Sequence, residues 1–346
     1  MKLKEEPTKQ SSRPLLRVPP LCTALVVLAC LIGSAVAQNC QISSDLDDAT
    51  RSAITTAGQR YFDMASKGDA ASLRQNAIAS LSSDFSSIES VVKDHQQDLA
   101  SSQTTTKSVF LLEAEGSAPL PHAEFYCGVF GKSGQTPGSA VFQIDNLPPG
   151  KYAVVLLEAS SAKARSSFSV ILQQAGTDWK LAGLYVKSAQ AGGHDSDWFV
   201  THARDYKTKG QLHNAWFFYL EARSLISPLS FMYTAATDKL YDESQGTQPA
   251  DLPAGGKTAD LVAGTATYKL TAIFPRALGD DLDLNVEYQV ADASDTNQAY
   301  QSNVAVIKAL VAKYPEVRGA FAAVVARAVD PSGHDYGTLM AMKDIK

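Results

Sequence analysis

The sequence predicts an α+β protein, with helices packed on a curved antiparallel sheet, a helical-hairpin connector and a C-terminal ββαββ layered domain. Three observations lead to this prediction. Apolar residues recur at helical spacing between residues 45 and 99, short β-rich runs alternate with turns between residues 107 and 187, and a β-β-α-β-β pattern fills residues 259–346. Runs of helices followed by runs of strands are typical of the α+β class.

The first region divides into three helical stretches at polar breaks. Ile54, Ala57 and Tyr61 recur at three- and four-residue steps along the first stretch. Asp69 follows a Lys-Gly break and is placed to cap a second helix, which is predicted to continue through Ile78. A third helix follows before the strands begin.

Six strands are predicted next, because β-branched and aromatic residues cluster between strong turn signals such as Gly131-Lys-Ser-Gly134 and Leu147-Pro-Pro-Gly150. The predicted strands are Ser108–Ala114, His122–Phe130, Ala140–Ile144, Tyr152–Ala159, Ser167–Gln173 and Trp179–Val186. Together with the preceding helices they predict one cone-like α+β domain of residues 38–190.

Two segments of this domain have a more specific pattern. Tyr61–Asp69 reads YFDMASKGD, and Asp178–Val186 reads DWKLAGLYV. They resemble the opening helix and the closing strand of nuclear-transport-factor-2-like cone folds. The resemblance covers residues 45–188, and it implies helices over one face of a curved sheet.

Residues 194–243 predict a helical-hairpin connector that follows a hinge at Ala191-Gly-Gly193. Asp195 or Ser196 can cap its first helix, because both side chains accept hydrogen bonds from free backbone N–H groups. A third helix, Leu229–Tyr241, is predicted to cover the hairpin.

Part of this connector has repeat-like spacing. Residues 196–229 resemble a single tetratricopeptide repeat unit, whose small residues let two helices approach closely. The matching small and aromatic residues are Ala203, Tyr206, Ala215, Tyr219 and Ala222. A solenoid normally needs about three stacked repeats, so a single unit predicts a connector.

A Gly/Pro-rich loop, residues 244–258, separates the connector from a C-terminal domain of residues 259–346. Its strands and helix are predicted at Thr265–Phe274, Leu282–Val290, Asn297–Tyr314 (the helix), Phe321–Ala328 and Asp335–Met342. The helix carries Val304, Ile307 and Leu310 on one side, and this apolar stripe should pack on the sheet.

The first 37 residues predict an export signal. A positive flank precedes an apolar run from Leu21 to Ile32, and Ala35-Val36-Ala37 is a small-x-small cleavage site before Gln38. The run is shorter than the about 20 apolar residues that a membrane span needs, so we expect cleavage and a periplasmic or extracellular protein. An uncleaved N-terminal anchor and lipidation at Cys30 are the alternatives. The whole chain looks like an exported bacterial protein.

Loss of this segment removes five basic and two acidic side chains and leaves 34 acidic and 26 basic ones. A phosphate backbone is bound by several cations on one face, and the remaining sequence has no Lys/Arg cluster. We therefore expect no nucleic-acid partner, and a membrane partner only if the segment is uncleaved or lipidated. The partner is predicted to be a protein or a peptide.

Cys40 and Cys127 are the cysteines outside the predicted signal. They could pair in an oxidising compartment. Such a bridge would join the N-terminus of the mature chain to a strand, and a disulfide typically stabilises a fold by about 2–4 kcal/mol.

No catalytic residue, cofactor or metal site is predicted. The sequence lacks a Gly-x-Ser-x-Gly elbow and Gly-rich nucleotide loops. His122 and Glu124 would point to the same face of a strand, as two metal ligands do, but further ligands are missing nearby. Asp195 and Asp197, beside His194, are explained by the charge preference of a helix N-terminus.

These observations predict an exported, non-enzymatic binding or scaffolding protein. Its candidate partner surface lies on the helical hairpin, at Trp198, His202, His213, Trp216 and Phe217. The alternative for the run from Trp216 to Tyr219 is a helix-packing core, which is the more common role of such a run. The two histidines lie on the two helices of the hairpin and could face one another.

An alternative function follows from the cone-fold resemblance. It implies a small-molecule-binding protein, or an enzyme with the acid–base chemistry of the isomerases and dehydratases that the cone fold hosts. The pocket residues would be Tyr61, Asp63, Tyr126 and Glu158. A deep pocket lined by these residues would support this alternative, whereas a filled cone would favour the scaffold.

Overall fold

The computed structural model describes residues 38–129, 138–162 and 164–346. The predicted signal segment and the predicted Gly131–Gly134 turn lie outside these residues. The described residues form eight α-helices and three β-sheets, so the predicted α+β class is confirmed. No helix in this part of the chain is long and apolar enough to cross a bilayer.

The helices and strands follow one another in this order. They are β1 (Gln38–Ile42), α1 (Asp48–Ser66), α2 (Ala70–Gln75), α3 (Ala79–Ser83), α4 (Ser86–Ala100), β2 (Gln103–Ala114), β3 (Leu120–Cys127), β4 (Ala140–Leu147), β5 (Gly150–Ser160), β6 (Arg165–Ala175), β7 (Asp178–Ser188), α5 (Ser196–Thr208), α6 (Leu212–Ile226), β8 (Met232–Thr234), α7 (Ala235–Gln245), β9 (Ala259–Ala263), β10 (Ala266–Leu278), β11 (Asp281–Gln289), α8 (Thr296–Lys313), β12 (Ala323–Val329) and β13 (Asp335–Ala341). Short 3₁₀ helices occupy Pro315–Gly319 and Met342–Asp344.

The first helices cover one face of a five-stranded antiparallel sheet of order β1-β2-β5-β6-β7. Asp47 caps α1 by accepting a hydrogen bond of 2.8 Å from the Thr50 N–H, and Asp69 caps α2 as predicted. The buried side of α1, which includes Ile54 and Tyr61, belongs to an apolar core shared with α4 and the sheet. This core fills the space between the helices and the sheet.

The second helix ends at Gln75, before its predicted end at Ile78. The following backbone pairs with β7 instead. The Leu181 N–H donates to the Asn76 carbonyl at 3.0 Å, and the Ile78 N–H donates to the Leu181 carbonyl at 2.9 Å. These bonds require the chain to leave the helix, so a sheet contact distant in sequence sets the helix end.

The other face of the five-stranded sheet is partly covered by a three-stranded sheet of order β3-β4-β8. Strand β1, which was not predicted, pairs with β2 along its whole length. Cys40 on β1 and Cys127 on β3 form a disulfide with Cα atoms 4.9 Å apart, so the predicted pairing is confirmed. The disulfide therefore joins the two sheets.

Strand β8 ties the helical hairpin to this three-stranded sheet. Thr234 of β8 lies opposite Ala140 of β4. The predicted third helix therefore begins at Ala235 rather than Leu229, because the preceding residues pair as a strand. Thr234 caps α7, accepting from the Thr237 N–H at 3.2 Å.

The C-terminal sheet has the order β13-β12-β11-β10-β9. Its neighbouring strands are antiparallel except β11 and β12, which are parallel and are connected through α8. A parallel pair needs such a crossover. Strand β9 was not predicted, so the observed element order is βββαββ rather than ββαββ.

One apolar core joins the helical hairpin to the C-terminal sheet. Phe199 of α5 and Phe217 of α6 belong to the same cluster as Leu284 and Val286 of β11 and Ile307 of α8. The hairpin therefore packs against the sheet and shares its core.

A polar network lies inside this core. The Tyr288 hydroxyl donates to Asn303 Oδ1 at 2.8 Å, and Asn303 Nδ2 donates to Thr338 Oγ1 at 3.0 Å and to the Tyr336 carbonyl at 2.9 Å. Buried polar groups need such partners, because an unpaired one retains its full desolvation cost. The network fixes α8 against β11 and β13.

Candidate functional site

The four residues of the predicted cone pocket do not meet at one site. Tyr61 is fully buried, and its hydroxyl lies 2.9 Å from the Trp179 carbonyl and 3.0 Å from the Asn76 carbonyl. Burial raises the pKa of this hydroxyl. Tyr61 is therefore a core residue that links α1 to β7, because apolar side chains fill the face of the sheet beneath α1.

Asp63 and Tyr126 are exposed on different elements. Asp63 lies on the outer side of α1 and accepts a hydrogen bond of 2.9 Å from Gln59. Tyr126 lies on β3 with 44% of its surface exposed, and it donates to Glu124 at 2.7 Å. Neither side chain shares a site with Tyr61.

Glu158 lines a cavity of about 300 Å³ next to the start of α5. Its carboxylate forms ion pairs with Arg165 at 3.2 Å and Lys107 at 3.3 Å. Burial raises the pKa of Glu158, but hydrogen bonds and charges from Arg165 and Lys107 outweigh that effect and hold the pKa below its ordinary value. Glu158 is thus an ionised, paired carboxylate and a poor proton donor.

Two residues of the predicted partner surface lie in an aromatic stack on α5. The Trp198 ring centroid is 3.8 Å from that of His194 and 3.7 Å from that of His202. Residues 194, 198 and 202 are spaced at intervals of four positions. Their side chains therefore lie along one face of α5 and of the segment just before it. His202 Nδ1 lies 2.9 Å from the Trp198 carbonyl, and both side chains are half-buried.

The other three residues of that predicted surface lie elsewhere. His213 Nδ1 is 2.7 Å from Glu316 and its Nε2 is 3.0 Å from Asp251, so it does not face His202. Trp216 is 9% exposed and Phe217 is fully buried. Both are core residues, because α5, α7 and β10 pack around α6. Trp216 and Phe217 therefore take the helix-packing alternative and are not part of an exposed surface.

His122 and Glu124 lie on the same side of β3, as predicted, with 3.5 Å between Nε2 and Oε1. Asp145 on β4 lies 2.7 Å from His122 Nδ1, and this hydrogen bond is the main reason that the pKa of His122 is raised. Gln143 donates to Glu124 at 3.1 Å. Across the described ranges, no group of three or more histidine, cysteine, aspartate or glutamate residues is arranged to hold a metal ion.

A cleft of about 510 Å³ opens between the two N-terminal sheets. One wall is the second half of β4, from Gln143 to Leu147, and the opposite wall is formed by side chains of β5, β6 and β7. The aromatic and aliphatic residues of its lining include Leu112, Ile144, Tyr152, Ile171, Tyr185 and Phe231. We call it the inter-sheet cleft.

Two aromatic rings form one end of the inter-sheet cleft. Tyr185 and Phe231 meet edge to face, with ring centroids 5.8 Å apart, and Tyr185 is 43% exposed. A Cβ atom at Gly183 would lie 3.2 Å from the Tyr185 ring and 3.3 Å from Ile171 Cγ1. The absence of a side chain at residue 183 therefore leaves room for these two cleft residues.

The inter-sheet cleft also holds a few fixed polar groups. The Tyr152 hydroxyl donates to the Pro148 carbonyl at 2.9 Å and accepts from Gln173 Nε2 at 3.1 Å. Burial raises the pKa of Tyr152, so this hydroxyl stays neutral at ordinary pH. Asn146 takes a left-handed conformation, with φ 53°, where β4 ends, and asparagine tolerates that conformation.

The cleft remains open because β8 is short. Strand β8 pairs only with Ala140 to Phe142 of β4, and the next backbone hydrogen bond runs from the Gln143 N–H to the Phe231 carbonyl, at 3.0 Å. Beyond Gln143, no described strand pairs with this side of β4. The last residues of β4 therefore border the cleft directly.

The inter-sheet cleft was not predicted from the sequence. Its residues come from distant segments, and Tyr152, Ile171 and Tyr185 read locally as ordinary alternating strand residues. The one available signal was an aromatic residue, Tyr185, on the strand face opposite the buried Leu184.

No protein-family model, curated protein or solved structure matches this chain. The resemblances to the cone fold and to a tetratricopeptide repeat therefore stay predictions. The functional inference depends on the geometry and chemistry of the chain's own residues.

Proposed function

We propose that this chain is an exported, non-enzymatic binding protein that holds a small, largely apolar ligand in the inter-sheet cleft. The observation that carries this proposal is a cleft of about 510 Å³ with aromatic walls and a few oriented polar groups. Ligand sites typically have volumes of about 300–1,000 Å³ and this kind of lining.

The lining indicates the chemistry of the ligand. Tyr152, Ile171 and Phe231 provide apolar surface, and burying it against a ligand is favourable. Gln173, whose Nε2 already donates to the Tyr152 hydroxyl, has an amide oxygen that can accept a hydrogen bond from a ligand atom. The lining contains no lysine or arginine, so we expect an uncharged ligand with an apolar body.

The same lining favours binding over catalysis. It contains no histidine or cysteine, and its one carboxylate, Asp145, is engaged by the exposed His122. Acid–base catalysis needs a proton donor and a proton acceptor positioned around the substrate. The cleft therefore supports retention of a ligand better than its conversion.

Export is supported by the N-terminal signal pattern and by the Cys40–Cys127 disulfide, since disulfides persist in oxidising compartments. The test is the intact mass of protein recovered from its native envelope or secreted fraction, before and after reduction. We expect a mass that begins at Gln38 and rises by two hydrogens on reduction. An unprocessed or lipidated mass would overturn the soluble, exported part of the proposal.

The cleft is tested with N-phenyl-1-naphthylamine, an uncharged aromatic probe whose fluorescence rises in apolar surroundings. Ile144→Trp should fill the cleft and abolish the fluorescence increase. Val262→Trp is the matched control, because Val262 is a strand residue that is 65% exposed on β9. Equal probe binding by both variants, with both folded by circular dichroism, would overturn the cleft as the ligand site.

A further inference from the structure

A second cleft, of about 550 Å³, lies between α6, β8 and α7, and its lining shares no residue with the inter-sheet cleft. Its apolar surface includes the buried Leu229 and Met232, and the exposed Tyr233 and Tyr241 lie at its mouth. Ser224, Ser227, Ser230 and Thr237 also belong to the lining. We call it the α6–α7 cleft.

Arg223 is the cation of this cleft. Its guanidinium carbon lies 4.6 Å from the centroid of the Tyr241 ring, so the planar group is held over an aromatic face. Within the part of the chain that the structure describes, the guanidinium has no hydrogen-bond acceptor and no carboxylate within ion-pair distance. The half-buried side chain thus presents its donors to the cleft unpaired.

An unpaired arginine in such a place is unusual, because a partly desolvated charge is normally compensated by a counter-ion or by hydrogen bonds. Burial lowers the pKa of Arg223, which reflects the cost of holding this charge away from water. The other arginine of the helical region, Arg204, is fully paired with Glu243. Among the residues that the structure describes, Arg223 therefore differs from Arg204 in having no carboxylate partner.

We propose that the α6–α7 cleft binds a small organic carboxylate with an apolar body, and that Arg223 holds the carboxylate. A guanidinium presents parallel N–H donors that match the two oxygens of a carboxylate. The apolar body would lie against Leu229, Met232 and the tyrosine rings. This site is separate from the inter-sheet cleft, and its ligand differs in charge.

Asp238 is the carboxylate that lines this cleft. It lies in the first turn of α7, where the helix N-terminus favours a negative charge, and it is exposed. It forms no ion pair with Arg223 within the described residues. Asp238 should therefore repel the ligand weakly or not at all.

The test is isothermal titration calorimetry of the full chain with benzoate and with benzamide. Benzamide has nearly the same shape as benzoate but carries no charge. We expect benzoate to bind more tightly by about ten- to a hundredfold, since hydrogen bonds between charged groups are about that much stronger. Arg223→Gln should reduce benzoate binding to the level of benzamide, and Arg223→Lys should retain part of the preference. Arg276→Gln, at an exposed arginine of β10, should change nothing.

Benzoate binding that equals benzamide binding, or no measurable benzoate binding, would overturn the proposal. So would an Arg223→Gln variant that is folded and retains full affinity, because Arg223 would then only support Tyr241. If Arg223→Gln does not fold, comparing benzoate with benzamide binding on the unchanged chain still tests whether the cleft prefers a carboxylate. Asp238→Asn should leave or strengthen benzoate binding, and a strong loss would instead assign Asp238 to the ligand.

Discussion

Arg204 on α5 donates two hydrogen bonds to Glu243 on α7, from Nε to Oε1 at 2.6 Å and from Nη2 to Oε2 at 2.8 Å. The Tyr219 hydroxyl of α6 donates to the same Oε1 at 2.8 Å. One carboxylate therefore joins three helices. The hydrogen bond from Arg204 is the main reason that the pKa of Glu243 is lowered to about 2.

Replacing this carboxylate should destabilise the protein. Glu243→Gln keeps the shape but removes the charge, and we expect the free energy of unfolding at pH 7 to fall by about 1 kcal/mol, because Arg204 is largely exposed and the pair is screened. Because the pKa of Glu243 is lower in the folded protein, the ionised side chain stabilises the fold at pH values above about 4.5. This stabilisation is lost as the pH falls from 4.5 toward 2. Urea unfolding at pH 7 and pH 3 checks this, with exposed Glu115→Gln as control.

Glu221 on α6 should have the opposite pH dependence. Its side chain is 9% exposed, and within the described residues its carboxylate forms no hydrogen bond or ion pair. Burial raises the pKa of Glu221 to about 7, although the charge of Lys187 on β7 lowers it. A raised carboxyl pKa means that folding favours the protonated form, so this group's contribution to stability falls as the pH rises from about 4.5 through 7.

Glu221→Gln therefore should be about as stable as the unchanged chain at pH 4.5. At pH 8 it should be more stable by about 3 kcal/mol at most, the free-energy equivalent of the pKa shift. Urea unfolding across this pH range measures the difference in the free energy of unfolding between the two proteins. The other carboxylates contribute equally to both proteins, so their contributions cancel in this difference. A difference that is constant with pH would contradict the assignment to Glu221.

Reduction of the Cys40–Cys127 disulfide should weaken the contact between the two N-terminal sheets. The bridge joins residues 87 apart in sequence, and opening a loop of that length should lower the free energy of unfolding by about 4 kcal/mol. Urea unfolding with and without reductant measures this change. A Cys40→Ser/Cys127→Ser variant should match the reduced chain and be insensitive to reductant, and a reductant effect on that variant would place the cause elsewhere.

Local patterns in the sequence predicted the longer elements well, because their causes are local. Asp69 and Asp195 cap helices as expected, and strands such as β5 and β7 lie within a few residues of their predicted bounds. The missed strands β1, β8 and β9 are short. Each is defined by pairing with another strand, and β1 and β8 pair with strands far away in the sequence.

The candidate sites depended even more on distant contacts. The run from Trp216 to Tyr219 is more typical of a helix-packing core than of a binding surface, but the sequence does not show that Phe217 shares its core with the C-terminal sheet. Tyr185 and Phe231 meet at the inter-sheet cleft only because β8 brings the segment after α6 onto β4. The isolation of Arg223 could not be inferred either, since it depends on which carboxylates the fold places nearby.

Gly58, in the middle of α1, marks the close approach of that helix to the sheet. A Cβ atom there would lie 2.7 Å from Val155 Cγ1 and 3.1 Å from Val155 Cβ. In an exposed helix, Gly→Ala stabilises by about 1 kcal/mol, because glycine is a poor helix former. Here we expect Gly58→Ala to destabilise by about 1–2 kcal/mol, since overpacking a core costs more than the gain in helix propensity.

A double-mutant cycle identifies the cause of that loss. Val155→Ala alone should destabilise by leaving a cavity, but it removes the atoms that the new methyl group would strike. Gly58→Ala should therefore be neutral or stabilising in the Val155→Ala background, which gives a favourable coupling free energy between residues 58 and 155. Urea unfolding of the four proteins measures this coupling. Additive effects would show that the helix does not contact β5 as closely as the structure places it.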